Sequence, residues 1–231
     1  MNSPLTPGQL ESLRRLDACT LANAIETFHK RLRNEGFVDH TVRCLFPQFE
    51  PMAGYAATIK IRGSAPPTVD GNYADRTDWW DYIVSLPTPR VVVVQDAATR
   101  PGLGSLVGAV HMNILQALHC SGVVTNGSVR DIPAAERAGF HYFAGNASVS
   151  HAYVHIVEIG KPVEIGGLQI QSGDLLHGDL HGVQSVPLDI AALIPPVAAQ
   201  IMARERELIA LCRSPEFSIE KLRAAVANAK L

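Results

Sequence analysis

The sequence has no excess of positive charge. Lys and Arg number 20 against 22 Asp and Glu, a formal net charge of −2. No general basic surface is therefore offered to nucleic acid, and none is expected as a partner. Cysteine is sparse and scattered: Cys19, Cys44, Cys120 and Cys212 form no CxxC pair. That spacing argues against a zinc or disulfide framework and for reduced thiols in a cytoplasmic protein. No apolar run approaches the roughly 20 residues of a membrane span, so no membrane role is expected. The opening residues show neither a basic n-region nor an apolar h-region, and no signal peptide is expected. What is present, 231 residues that are 47% hydrophobic and 18% charged, suits one large domain over residues 1–231. It would carry a helical segment at 1–34 and C-terminal helices at 188–231.

Apolar periodicity assigns the elements. Leu10, Leu13, Leu16, Leu21 and Ile25 recur at helical spacings across about 8–34. Residues 53–62 alternate as a strand, with Lys60 on the more polar side. A short helix is predicted at 79–86, then a buried strand in Arg90-Val-Val-Val-Val-Gln-Asp96. A Gly-rich loop at 101–105 leads into a helix predicted from Leu106 to His119. A strand at 122–125, a helix around 133–138 and a strand at 141–144 follow. Residues 153–187 are strand-rich, with a hairpin turning on Gly166-Gly167 and short strands at 175–178 and 183–186. Two helices are predicted at 190–213, bent or restarted at Pro195-Pro196, and at 218–229. This order reads as α/β: a mixed β/β/α domain with a C-terminal helical arm.

The chemistry gathers at Gly122-Val-Val-Thr-Asn-Gly-Ser-Val-Arg130-Asp131. A short apolar run ends at what reads as a Gly turn and delivers an adjacent cation and carboxylate. Arg is a fixed cation that polarises a carbonyl or holds a carboxylate. Asp is a hard oxygen ligand suited to Mg²⁺. The strands at 91–95 and 122–125 flank one helix, so they should be parallel neighbours. Ligands in such sheets gather beyond the carboxyl ends of the strands. Asp96, the loop 102–105, Gly108 and Arg130-Asp131 all fall at that edge. Gly102, Gly104 and Gly108 let backbone approach a ligand, and N–H groups at a helix start favour an anion, carboxylate or phosphate. The spacing is not a dinucleotide fingerprint, and no Gly-Lys-Ser/Thr occurs. His111, one turn into the helix, either contacts a substrate carboxylate or is an ordinary helical residue. His151/His155 and His177/His181 share i, i+4 spacing. The first pair lies in a strand-prone run and the second in a turn-like one, so no zinc site is expected. Lys60 and Lys161 are read as lying away from this edge, which leaves no Schiff-base lysine.

The order and spacing of Gly108, Gly122-Val-Val, Gly127-Ser-Val-Arg130-Asp131, Lys161-Pro-Val, Gly166-Gly-Leu, Ser172-Gly-Asp-Leu and Gly178-Asp179-Leu-His-Gly-Val with Pro187 resemble one family. Over about residues 10–210 the chain is similar to RraA-like proteins. These include the class II 4-hydroxy-4-methyl-2-oxoglutarate/4-carboxy-4-hydroxy-2-oxoadipate aldolases. The resemblance implies a β/β/α sandwich of the swivelling phosphohistidine-domain type, a homotrimer or dimer of trimers, and sites between subunits. It implies that the N–H groups of Gly108, Ala109, Val110 and His111 hold a substrate carboxylate. It further implies that Arg130 binds the oxo-acid and stabilises its enolate, and that Asp131 ligates Mg²⁺ or Mn²⁺. The activity implied is that of a lyase, by aldol cleavage releasing pyruvate or by oxaloacetate decarboxylation.

One position departs from the family. The residue after Gly108 is commonly acidic there and supports the metal through water; here it is Ala109. Losing such an outer-shell group costs about 10–100-fold in affinity or activity. The family also draws a carboxylate from a neighbouring C-terminal helix, the region of Glu205 and Glu207. Some members are instead non-catalytic regulators that inhibit an RNA-degrading endonuclease. Those lack the Asp at the position of Asp131, which this chain keeps. A third reading is an enzyme acting on another hydroxy- or oxo-acid. No adenosylmethionine-binding loop supports the methyltransferase label that some members carry.

Overall fold

In the computed structural model, which describes residues 4–67 and 77–229, a mixed sheet forms the centre. The parallel strands β3 (Arg90–Asp96), β2 (Met52–Arg62), β5 (Cys120–Val129) and β6 (His141–Ala147) are its heart, with β3 between β2 and β5. The antiparallel strands β10 (Leu175–Asp179) and β11 (Gly182–Val186) extend it beyond β2, and the two-residue β1 (Arg43–Cys44) closes the far side beyond β6. The short β4 (Ser105–Val107) pairs with β5, and β7 (His155–Ile159) with β2.

The β-branched run of β3 shows why this sheet has two covered faces. Val92 and Val94 pack with Trp79 and Ile83 of α3 (Asp78–Val84), Met112 and Leu115 of α4 (Ala109–Ala117), and Ala135 of α5 (Ile132–Ala138). Val91 and Val93, one residue out of phase, pack with Val163, Ile165, Leu168 and Ile170. Those four come from the hairpin β8 (Val163–Ile165) and β9 (Leu168–Ile170), whose Gly166-Gly167 turn has φ +51° and +77°. A third cluster joins α1 (Pro7–Arg14), α2 (Ala18–Glu26) and the first half of α6 (Ile194–Arg213) to Tyr55, Leu175 and Val186. The last helix, α7 (Ile219–Ala229), is preceded by Ser218, whose hydroxyl accepts the Lys221 N–H at 3.2 Å.

Several expectations are corrected. The single N-terminal helix is two, because Asp17 caps α2 through the Thr20 N–H at 2.8 Å and breaks the run. The alternation read in β2 does not mark an exposed face: Ala57, Ile59 and Ile61 pack in one cluster and Met52 and Ala56 in another, and Thr58 is buried too. The helix placed at 106–119 begins only at Ala109, and Leu106 and Val107 belong to β4. β5 outruns β3, whose pairing ends at Thr125, so its last residues need another partner, and β4 supplies it. β6 likewise runs on to Ala147. Arg90, 6% exposed, donates to Leu86 O at 2.9 and 2.6 Å, Val84 O at 2.9 Å and Leu118 O at 2.7 Å. One guanidinium thus meets carbonyls at the C-terminal ends of both α3 and α4.

Candidate active site

The stretch read as a Gly turn is an irregularity inside β5. Its register with β6 shifts between Thr125 and Ser128, where Asn126 and Gly127 lie. The Asn126 side chain brackets the end of β3, accepting the Asp96 N–H at 2.8 Å and donating to Asp96 O at 3.1 Å. Asp96 is itself 2% exposed, and its carboxylate accepts the Ala98 and Gly102 N–H groups at 3.0 and 2.8 Å. Its carboxylate is thus engaged in shaping the Gly-rich loop. Ser128 Oγ fastens the same loop by donating to Gly102 O at 2.6 Å.

Arg130 and Asp131 come directly off the end of β5. The Arg130 N–H donates to Val107 O at 3.1 Å, which fixes the pair against β4. Asp131 sits at φ +55°, a left-handed conformation uncommon outside glycine. It precedes α5 yet makes no side-chain bond to that helix. Its carboxylate instead crosses to α4, where Oδ2 accepts the Ala109 N–H at 2.7 Å. Arg130 Nε stands 3.5 Å from the same oxygen. Only glycine fits between them: a Cβ on Gly108 would lie 2.7 Å from Asp131 Oδ2 and 2.9 Å from Arg130 Cγ. The backbone ladder of α4 begins with Met112 N–H to Gly108 O at 2.9 Å. Its first turn is the electropositive end of the helix dipole. An incoming carboxylate meets the Ala109 N–H only in competition with Asp131, whereas Val110 and His111 follow in the same turn.

His111 is half-buried on α4, its ring centroid 6.0 Å from that of the buried Trp79. Burial pushes its pKa down, and the nearby His151 adds to the shift. His151 Nδ1 lies 2.9 Å from Ser105 O, on the strand that leads to Gly108. His155, in β7, and the buried His177, in β10, bond elsewhere, to Tyr153 O at 2.8 Å and Leu16 O at 3.0 Å. His181 turns back to Asp179 at 3.1 Å. Among the described residues no group of three or more His, Cys, Asp or Glu converges on one point. Asp131 is thus a single carboxylate beside an Arg.

One further placement differs from the sequence reading, that of Lys60, and Glu205 lies apart from this chain's own Arg130 and Asp131. Lys60 stands opposite Gln95 near the carboxyl end of β2, not away from the site edge. Its ammonium is held by Glu158 at 2.7 Å. Glu205 lines a cleft of about 630 Å³ between α2 and α6, with Glu26, Arg33 and Arg204. Neither Arg130 nor Asp131 is on its wall. His151 entered the sequence reading only through its spacing to His155, yet its ring sits against β4. Its bond to Ser105 spans 46 residues, and no local pattern announces it.

Comparison with known proteins bears on the family and the fold. Residues 18–184 match the RraA-like family model, Aldolase/RraA. A protein of Halalkalibacterium halodurans, provisionally named 4-hydroxy-4-methyl-2-oxoglutarate aldolase, is 33% identical over 104 residues, 43% of this chain and 48% of that protein. The match therefore spans about half the length of that relative. Streptomyces coelicolor RraAS2, described as an unusual member of the RNase ES inhibitor RraA family, superposes with a TM-score of 0.69 at 19% identity, covering 92% of this chain and all of the other. A structure described among novel cellulases from microbes of the gut ecosystem gives a TM-score of 0.74 at 22% identity, with 90% of each chain covered. At such identities structural likeness shows the fold alone. The sequence match over residues 18–184 carries the assignment, and the chain belongs to the RraA-like family.

Proposed function

We propose that this chain is a divalent-metal-dependent carbon–carbon lyase for small 2-oxo-dicarboxylic acids. It would act by aldol cleavage releasing pyruvate, by oxaloacetate decarboxylation, or by both. The observation that carries this reading is the juxtaposition of Arg130, Asp131 and the N-terminus of α4, with Asp131 Oδ2 2.7 Å from the Ala109 N–H. The provisional aldolase name of the Halalkalibacterium relative supports it.

A lone carboxylate that is 37% exposed suits Mg²⁺ or Mn²⁺ in the form such ions favour, keeping most of their waters and taking the rest of their ligands from substrate. Asp131 would hold the ion, which supplies Lewis-acid polarisation of the 2-oxo group when bound. Arg130 brings a permanent, planar cation to the oxygen on which enolate charge develops. The first turn of α4, at Gly108, Val110 and His111, receives the substrate carboxylate along its dipole. The close fit of Gly108 against both side chains keeps anion cradle and cation in register. Lys60, its ammonium paired with Glu158 at 2.7 Å, is not assigned as the nucleophile of a Schiff-base mechanism.

We read as the rim of this site four exposed apolar side chains: Leu103 at 53%, Val110 at 72%, Val149 at 98% and Tyr153 at 56%. A second copy covering that rim completes the site in our reading, within a homotrimer or dimer of trimers of the swivelling phosphohistidine type. Glu205 or Glu207 would then belong to a neighbour's site. Pyruvate release from a panel of 2-oxo diacids, with Mg²⁺ or Mn²⁺ present, tests the proposal. Release from none of them defeats it. A stoichiometric protein partner captured by metal-free protein would instead favour a regulator, in line with the RNase ES inhibitor family of which RraAS2 is described as an unusual member.

A further inference from the structure

We propose that the cleft between α2 and α6 is a binding site for a small zwitterion, an α-amino acid with an apolar side chain. The proposal stands apart from the lyase reading, since neither Arg130 nor Asp131 is on the cleft wall.

Two of the walls belong to helices that are already locked together. Leu21, Ala24 and Ile25 of α2 are buried in one cluster with Ile194, Ala198 and Ile201 of α6. Along that seam the cleft takes Asn23, Glu26 and Thr27 from α2, at i, i+3 and i+4. From α6 it takes Val197, Ile201 and Arg204, at i, i+4 and i+7. Each set is one continuous stripe of its helix. The stripes border a space of about 630 Å³, within the roughly 300–1,000 Å³ of ordinary small-molecule sites.

The remaining wall comes from the basic run His29-Lys30-Arg31-Leu32-Arg33. The chain turns at His29, which is left-handed at φ +52°. Lys30 leaves to pair with Asp189. Arg31 donates to Ser185 O at 2.8 Å and Gly36 O at 3.2 Å. Arg33 stays on the cleft wall, where its Nε meets a Glu26 carboxylate oxygen at 3.2 Å. That pair is neutral as a unit and asks nothing of a ligand.

Two charges on the wall are left over. Among the described residues, the side chains of Arg204 and Glu205 make no hydrogen bond or ion pair, with each other or with a neighbour. Adjacent positions on a helix do not face each other, which keeps the two apart. A ligand of one charge satisfies one of them and is repelled by the other. A zwitterion satisfies both, its carboxylate taking the Arg204 guanidinium and its ammonium the Glu205 carboxylate. An α-amino acid carries those groups on a single carbon. Val197 and the buried Ile201 supply apolar surface for its side chain. Glu205 is thereby assigned to its own chain's cleft, which leaves Glu207 as the carboxylate for a neighbour's site.

Calorimetric titration of the full chain with L-leucine and L-phenylalanine tests the site. The matched controls are 4-methylpentanoate and 3-methylbutylamine, each of which keeps the leucine side chain and one of its two charges. Saturable binding of an amino acid is expected, with both leucine controls at least about tenfold weaker than leucine. Arg204→Gln and Glu205→Gln should each weaken amino-acid binding about tenfold or more. Their Tm should stay within a few degrees of wild type, because neither side chain has a partner to lose. Asp131→Ala should bind as wild type does. No saturable binding of either amino acid at millimolar concentration overturns the proposal. So does a control that binds as tightly as leucine, or unchanged binding in either cleft variant. Loss of binding in Asp131→Ala overturns it as well, by placing the ligand in the lyase site. Each of these outcomes leaves the lyase reading to its own test.

Discussion

Gly108→Ala tests the register of the site with a single methyl group. The new Cβ would stand 2.7 Å from Asp131 Oδ2 and 2.9 Å from Arg130 Cγ, where ordinary contact begins near 3.4 Å. The carboxylate must therefore retreat by about 0.7 Å, the difference of those distances. Its bond to the Ala109 N–H lengthens with it, and Arg130 shifts too. The backbone itself raises no objection, since Gly108 is extended at φ −123°, ψ −165°. The stability cost is then confined to one charge-assisted hydrogen bond. Discounted for partial exposure, that is about 1 kcal/mol, or a Tm drop of about 2–4 °C in a chain of this size. The catalytic cost is larger, because a displacement approaching 1 Å at a reacting group costs about 10²-fold. Pyruvate release at saturating metal, paired with calorimetry, reads both quantities. A kcat/KM within threefold of wild type would refute the reasoning. So would a Tm loss large enough to account for the lost activity by unfolding.

Two further outcomes follow from buried groups outside the site. Arg90→Met leaves the Val84, Leu86 and Leu118 carbonyls without their donor, which should cost about 3 kcal/mol or more in urea unfolding; a loss below 1 kcal/mol contradicts the bridging role. His141 packs against Phe143 and Phe49, and burial, aided by Arg14, pulls its pKa from 6.5 down to about 4. Between those values the unfolded chain binds a proton that the folded chain refuses. Stability is therefore intact above pH 6.5 and declines toward pH 4 by about 3 kcal/mol. The buried His177 acts in the same direction. His141→Phe should flatten that slope in urea titrations across pH 4–7, and an unchanged slope would refute it.

Much of this arrangement is legible in the chain. The Val91–Val94 run specifies a strand covered on both faces, and β3 and β5 are indeed parallel neighbours. The Gly166-Gly167 hairpin and the restart of α6 at its prolines also follow local rules. Periodicity fails where tertiary pairing decides. Leu106 and Val107 satisfy a helical pattern, yet the unpaired end of β5 claims them for β4. Asn126-Gly127 has the composition of a turn, but strands on both sides hold it inside the sheet. Arg130, Asp131 and Gly108 could be named from sequence because they flank one βαβ unit. The commitment of the Ala109 N–H to Asp131 could not, since it depends on the left-handed backbone at Asp131. His151 was illegible for a similar reason: its orientation comes from a carbonyl distant in sequence.

The most direct test is pyruvate release from oxaloacetate in a lactate dehydrogenase-coupled assay, with and without Mg²⁺ or Mn²⁺, for wild type and Asp131→Ala. The proposed site predicts metal-dependent turnover in wild type that disappears in the variant. Wild-type turnover no higher than that of the metal alone, or an Asp131→Ala protein as active as wild type, would contradict it.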